Sequence, residues 1–236
     1  MSTSNCSGIP RYPQAPEKLS DAAITALTEL CFGDQSSIIG PLTAEAAVVF
    51  GTSNIGHLYA ISLMIADLIR RTGLRIVYLT GGTIHGDVTQ SELLQHTIGA
   101  DGYATVKFRT DRISLTTLGN VRSAVLQGLF GYANVVFITK HSHCGRARMT
   151  LERYLGPKRH KLFQAGYAQI IPGVPGLMKP DNWTRHQKWI ERVWGEFLRI
   201  REYGLRGDIF YTDETAELVG KIETLTGTAT AEPVTA

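Results

Sequence analysis

The chain has 236 residues, 43% hydrophobic and 19% charged, with 24 glycines and a formal net charge of +3. That length can bury a sizeable core as one large domain, while so small a net charge, with no long basic stripe interleaved with aromatics, argues against a nucleic-acid binder. Three cysteines (Cys6, Cys31, Cys144) without CxxC spacing imply no disulfide framework, and no apolar run reaches the ~20 residues of a membrane span, so the expectation is a cytoplasmic protein without a membrane partner.

Residues 1–18 are polar and proline-rich (Pro10, Pro13, Pro16), which predicts a flexible arm. Ser20-Asp21 is placed to cap a helix with the stripe Ile24, Leu27, Leu30 and Cys31, ended by Gly33. Ala46 to Phe50 reads as a buried strand, followed by the turn Gly51-Thr52-Ser53-Asn54-Ile55-Gly56 and a long amphipathic helix through Leu58, Ile61, Ile65 and Leu68. Arg75 to Thr80 is a second strand ending at Gly81-Gly82-Thr83, and Thr89-Gln90-Ser91-Glu92 is a capping box for the next helix. Thr105 to Phe108 reads as a short strand, after which Thr116 or Thr117 caps a helix carrying Val121, Ala124, Val125 and Leu129.

Val135-Val136-Phe137-Ile138 is the pattern of a strand buried on both faces, and it delivers the polar run Thr139 to Arg146 to the start of another helix. Tyr167 to Ile171 is expected as a further strand, and Trp183 to Tyr203 as a last strong helix, forming a cap over 181–204; residues 227–236 read as a disordered tail. Alternating strands and helices predict an α/β fold, a Rossmann-like doubly wound and mostly parallel sheet of about five strands, with extra helices from both ends. No linker divides 19–226, so one domain is expected.

The chemistry concentrates around Lys140-His141-Ser142-His143-Cys144-Gly145-Arg146. From Lys140 to Lys161 there are seven Lys/Arg against one acid, Glu152, which favours an anionic small-molecule ligand. His143 is suited to acid/base work. Arg146, three residues on, can reach the same spot and grip a carboxylate or phosphate. His141, His143 and Cys144 do not form a closed metal-site spacing, so no metal is expected, and Cys144 reads as a small filler. The Gly51 to Asn54 and Gly81-Gly82-Thr83 turns either bring backbone N–H groups close to a ligand or are simply tight turns with Ser53 or Asn54 as a cap. Glu92 is explained by its capping box or by function, and Asp111 and Ser114 by ordinary turn chemistry or by function. Arg185, Lys188 and Arg192 read as the solvated face of the last helix, with a lid over the sheet edge as the alternative.

Four signals fall in a fixed order at predicted strand ends: Val48-Val49-Phe50-Gly51, Leu79-Thr80-Gly81-Gly82 followed by Glu92, Asp111 with Ser114-x-x-Thr117-x-x-Asn120, and Thr139-x-x-x-His143-x-x-Arg146-Ala147. This order, spanning 46–155, resembles the bacterial family that includes YdcF, SanA and ElyC. The resemblance implies a Rossmann-like fold and S-adenosylmethionine as candidate ligand, in a family with no settled reaction. The chain lacks the membrane anchor of the SanA and ElyC members and is more similar to soluble YdcF, although His143 and Arg146 fit the anchored branch better. Where the family has Thr-x-Glu-Asn this chain has Thr117-Leu118-Gly119-Asn120, so the acid there is missing.

The expected site is therefore a pocket lined by Gly51, Thr52, Ser53, Asn54, Gly81, Gly82, Thr83, Ser114, Thr117 and Asn120. Lys140, His141, His143 and Arg146 would hold the ligand's anionic group. For group transfer or hydrolysis, His143 would be the general acid/base, Arg146 would stabilise negative charge, and Glu92 or Asp111 would orient the imidazole. The alternative is a non-catalytic sensor linked to envelope physiology. The oligomeric state is not legible in the chain.

Overall fold

The computed structural model describes residues 8–33, 43–52, 54–82, 84–85, 88–99, 103 and 105–228. Residues 1–7 of the expected arm (1–18) and 229–236 of the expected tail (227–236) lie outside them.

The fold is α/β and Rossmann-like. Five parallel strands, β1 (Ala46–Phe50), β2 (Ile76–Thr80), β5 (Lys107–Thr110), β6 (Asn134–Lys140) and β7 (Lys161–Tyr167), form one sheet in the order β5-β2-β1-β6-β7. A short hairpin of β3 (Ile84–His85) and β4 (Val88–Thr89) stands apart from it. The three central strands have apolar, buried middles because both of their faces are covered. In β1, Ala47 and Val49 pack with Leu58, Ile61 and Ile65 of α2 (Ile55–Arg71) and Leu94 of α3 (Gln90–Ile98). On the other face, Ala46, Val48 and Phe50 pack with Val121 and Ala124 of α4 (Thr117–Leu126) and Ala147 and Leu151 of α5 (Cys144–Leu155). Helices α2 and α3 thus cover one face and α4 and α5 the other. The winding reverses between β1 and β6, and the carboxyl ends of those two strands border the crevice where open α/β sheets bind ligands.

The caps follow the local chemistry. Ser20 Oγ accepts from Ala23 N ahead of α1 (Asp21–Phe32), Asn54 Oδ1 accepts from Gly56 N ahead of α2, and Thr116 Oγ1 accepts from Gly119 N ahead of α4. Thr89 and Glu92 close a reciprocal capping box at α3.

A third layer gathers at one flank. Helices α1, α6 (Gln187–Leu205) and α7 (Asp213–Thr226) share an apolar cluster that includes Leu27, Phe32, Trp183, Trp189, Phe197 and Ile222. Helices α1 and α6 both pack on the 3-10 turn His141–His143 and on the start of α5. The approach is close: a Cβ on Gly145 would overlap the Leu30 carbonyl oxygen.

Several sequence expectations shift. The strand expected at 167–171 lies at Lys161–Tyr167, and Gln169 instead bridges antiparallel to Met178. β7 is an edge strand carrying Lys161, Gln164 and Gly166, so its apolar signal is weak; burial of Gln164 is made good by its donation to Phe32 O. β5 sits at 107–110 rather than 105–108. Trp183 belongs to a 3-10 turn ahead of α6, and α7 was not anticipated, although Thr212 caps it and Asp213 and Glu214 fill its first turn. Residues 8–20 lack regular structure yet pack: Ala15 is buried and Arg199 donates to Pro10 O.

Candidate functional site

The carboxyl end of β6 delivers Thr139 to one face of the sheet and Lys140 to the other. On the α4/α5 side, His143 sits edge-on to Phe50, the last residue of β1, with ring centroids 5.8 Å apart. Its Nδ1 lies 3.0 Å from Thr139 Oγ1 and its Nε2 lies 3.0 Å from Thr117 Oγ1. Arg146 joins the same knot, donating from NH1 to Thr117 Oγ1 (2.9 Å) and from Nε to Glu196 Oε2 (2.8 Å). So residues from β1, α4, β6, α5 and α6 meet at one rim.

Among the described residues, Glu196 is the sole carboxylate paired with three buried guanidinium groups: Arg146 at 2.8 Å, Arg192 at 3.3 Å and Arg199 at 3.7 Å. Arg192, Glu196 and Arg199 lie on one turned-in face of α6, and all are buried. Arg192 is therefore not on a solvated face; its charge is drawn inward by Glu196 one turn on. Among the described residues, Arg192 Nε and Arg199 NH1 have no hydrogen-bond partner, and Glu196 Oε1 is within ion-pair range but unbonded. Burial by itself would raise the Glu196 carboxyl, but Arg146, Arg192, His143 and Arg199 together outweigh it and hold the group well below its usual range.

Lys140 lies on the opposite face of β6, in register with Tyr167 of β7. Partial burial and then the fields of Arg192 and Arg11 lower its ammonium to about 7, with Glu196 opposing. Beside it, His57 of α2 has Nδ1 3.2 Å from Thr52 Oγ1, while Nε2 accepts from Ile170 N at 2.7 Å. Burial, Lys140 and Arg11 lower His57 to about 4, so it is a neutral Nδ1–H tautomer. Sequence reasoning passed over His57 because one histidine in the first turn of an amphipathic helix carries no distinguishing spacing. Burial and then Arg146 likewise hold His143 well below its ordinary value, so it too is neutral.

The remaining predicted residues separate. Glu92 spends its carboxylate on the Thr89 backbone and hydroxyl and on Arg112 at 3.0 Å. Asp111 Oδ1 accepts from Ile113 N and Ser114 N, closing a turn. Neither holds the imidazole; Thr139 and Thr117 do. Gly51 and Gly81 face each other with Gln90 Oε1 filling the gap, where a Cβ on either would fall within 2.8 Å of that oxygen. Gly82 donates to Ser114 O and packs on the backbone of Arg112 and Ile113. These glycines let chain meet chain. Thr52 bonds His57 and accepts from Asn54 N. Ser53 and Thr83 lie outside the described residues. His141 turns away from His143 onto Gly166 of β7. Among the described candidates, Asp111 Oδ2 and Asn120 Oδ1 are buried without a hydrogen-bond partner in the described residues. Cys144 is buried, with its thiol raised by burial, and fills space.

No protein-family model and no curated protein matches the chain. Among the described residues no three His, Cys, Asp or Glu side chains converge on a metal position. None of their helices is long and apolar enough to cross a membrane.

Proposed function

We propose that the protein is a cytoplasmic YdcF-like binder of an anionic small molecule, held at the carboxyl edge of the sheet where β1 and β6 part. The observation that carries this reading is the imbalance of charge: Arg146, Arg192 and Arg199 are buried around the carboxylate of Glu196, with Lys140 at the end of the same strand edge and two guanidinium nitrogens unbonded among the described residues. Buried positive charge without compensation is costly, and an anion at this corner offsets it. Lys140, part-exposed at the strand end, is the residue that meets the ligand.

Asp111 Oδ2 and Asn120 Oδ1 are acceptors in want of donors, which suits the hydroxyl and amino groups of an adenosyl moiety. S-adenosylmethionine, to which the motif order points, carries a sulfonium and an ammonium, so the cationic corner favours a phosphate-bearing adenosine ligand over it. Where the bound ligand reacts, by group transfer or hydrolysis, His143 and Arg146 are the pair placed to act.

Calorimetric titration with inorganic phosphate, adenosine monophosphate and S-adenosylmethionine tests the reading. Phosphate or the nucleotide binds wild type, and Lys140→Met weakens that binding about tenfold or more, equivalent to about 1.4 kcal/mol. Binding of sulfate, whose charge is constant across this range, tightens as pH falls through about 7, because the anion favours the charged ammonium. An affinity that ignores both Lys140→Met and pH would sink the assignment.

A further inference from the structure

We propose that Thr117 is a nucleophile that takes the acyl group of an activated carboxylic ester seated in the cleft between α4 and the carboxyl end of α6, with His143 as its general base. This goes beyond the anion site, with which it shares His143 and Arg146. The cleft has a volume of about 90 Å³, and Thr117, Leu118, Tyr203, Arg206, Asp208 and Ile209 are among the residues that line it. That is smaller than the pockets that take drug-sized ligands and suits a short acyl group; apolar surface is joined there by hydroxyls and by the Arg206–Asp208 ion pair at 2.6 Å. Two guanidinium groups lie over the Tyr203 ring, Arg146 at 5.6 Å and Arg206 at 4.8 Å from its centroid, and fix the ring that lines the cleft.

The hydrogen-bond chain at the floor fixes the protons. Arg146 NH1 donates to Thr117 Oγ1, using one of its lone pairs. The Thr117 hydroxyl hydrogen is then directed to His143 Nε2, 3.0 Å away, and His143 Nδ1–H is directed to Thr139 Oγ1. Nucleophile, base and orienting group are linked in the order that acyl-transfer enzymes use, with threonine in the place of the usual carboxylate. In the first step Thr117 Oγ1 bonds the ester carbonyl carbon and its proton passes to Nε2. The carbon–oxygen bond to the leaving alcohol then breaks and that oxygen takes the proton from the imidazolium, leaving acyl-Thr117. In the second step water attacks the same carbon, giving its proton to Nε2; the carboxylic acid departs and the proton returns to Thr117. Arg146, bonded to Oγ1 at the start, stabilises negative charge on the oxygens of both tetrahedral species. Thr139 is a positioning residue, acting through the ring. Since burial and Arg146 keep His143 neutral, the base is in its working form throughout the neutral range.

The test is acylation by p-nitrophenyl butyrate, followed by p-nitrophenol release and by peptide mass mapping. Acid quenching during turnover traps up to one butyryl group per chain, on Thr117, in wild type; Thr117→Val gives none, and Thr117→Ser restores the label. His143→Gln slows acylation about a hundredfold. Thr139→Val slows it and moves its acid limb to lower pH, because the protonated ring loses an acceptor, and Thr139→Ser reverses both changes. Label on a lysine, or an undiminished rate in a Thr117→Val variant whose circular dichroism is that of wild type, overturns the proposal. Phosphate binding is read separately by calorimetry on wild type, so loss of either property leaves the other to be judged by itself.

Discussion

Glu196→Gln keeps the shape of the side chain and removes the single carboxylate shared by Arg146, Arg192 and Arg199. At an effective dielectric constant of about 20, a guanidinium–carboxylate contact at the observed 2.8 to 3.7 Å is worth roughly 4–6 kcal/mol. Repulsion among the cations and the desolvation of four buried ions consume much of that sum. Breaking a buried pair leaves uncompensated charge and costs about 3–5 kcal/mol. That is a large share of the roughly 5–15 kcal/mol that holds a typical domain together. Equilibrium urea unfolding at neutral pH measures it, and phosphate in the buffer should return part of the loss, since an anion bound only to the folded state stabilises it by mass action. Arg192→Met is the control: it lessens the positive excess while keeping most of the buried stem, and should cost less than Glu196→Gln. The reasoning fails if Glu196→Gln loses less than about 1 kcal/mol, the scale of an exposed pair, or if Arg192→Met proves the more damaging change. The pH dependence has a fixed sign. The Glu196 carboxyl is depressed, so its contribution is whole above the ordinary value of 4.5 and disappears only as pH falls through its lower folded value.

His57 sets a second acid limit. Its ring is lowered to about 4 from the ordinary 6.5, so the unfolded chain takes up a proton that the folded one refuses, and stability declines as pH falls from about 6.5 to about 4. His57→Gln should flatten that slope in urea unfolding across the same range; an unchanged slope assigns the effect to other groups. Gly145→Ala drives a methyl into the Leu30 carbonyl oxygen, which neither backbone can yield cheaply, and should cost about 1–3 kcal/mol or more. A neutral result in thermal unfolding would mean that α1 does not sit so close to α5.

Local chemistry in the chain determined the central scaffold. The apolar runs at 46–50, 76–80 and 134–140 become the three inner strands, and Ser20, Asn54, Thr89 and Thr116 cap the helices that follow them. These features are local, a strand buried on two faces or an oxygen beside an orphan N–H, and so they can be read from neighbours. It also placed Thr117, Thr139, His143 and Arg146 at strand ends, hence near one edge. Tertiary structure decided what those residues meet. Arg146 and Glu196 are 50 positions apart, and nothing in the spacing of α6 says that Arg192, Glu196 and Arg199 turn inward rather than to water. Gln90 occupies the space that two glycines leave, and Thr139 and Thr117, rather than Glu92 or Asp111, hold the imidazole. The edge strands were misplaced by a few residues because one-sided pairing relaxes the demand for apolar side chains. Charge, hydrogen-bond partner and burial at this rim are properties of chain segments brought together from far apart, and only folding brings them together.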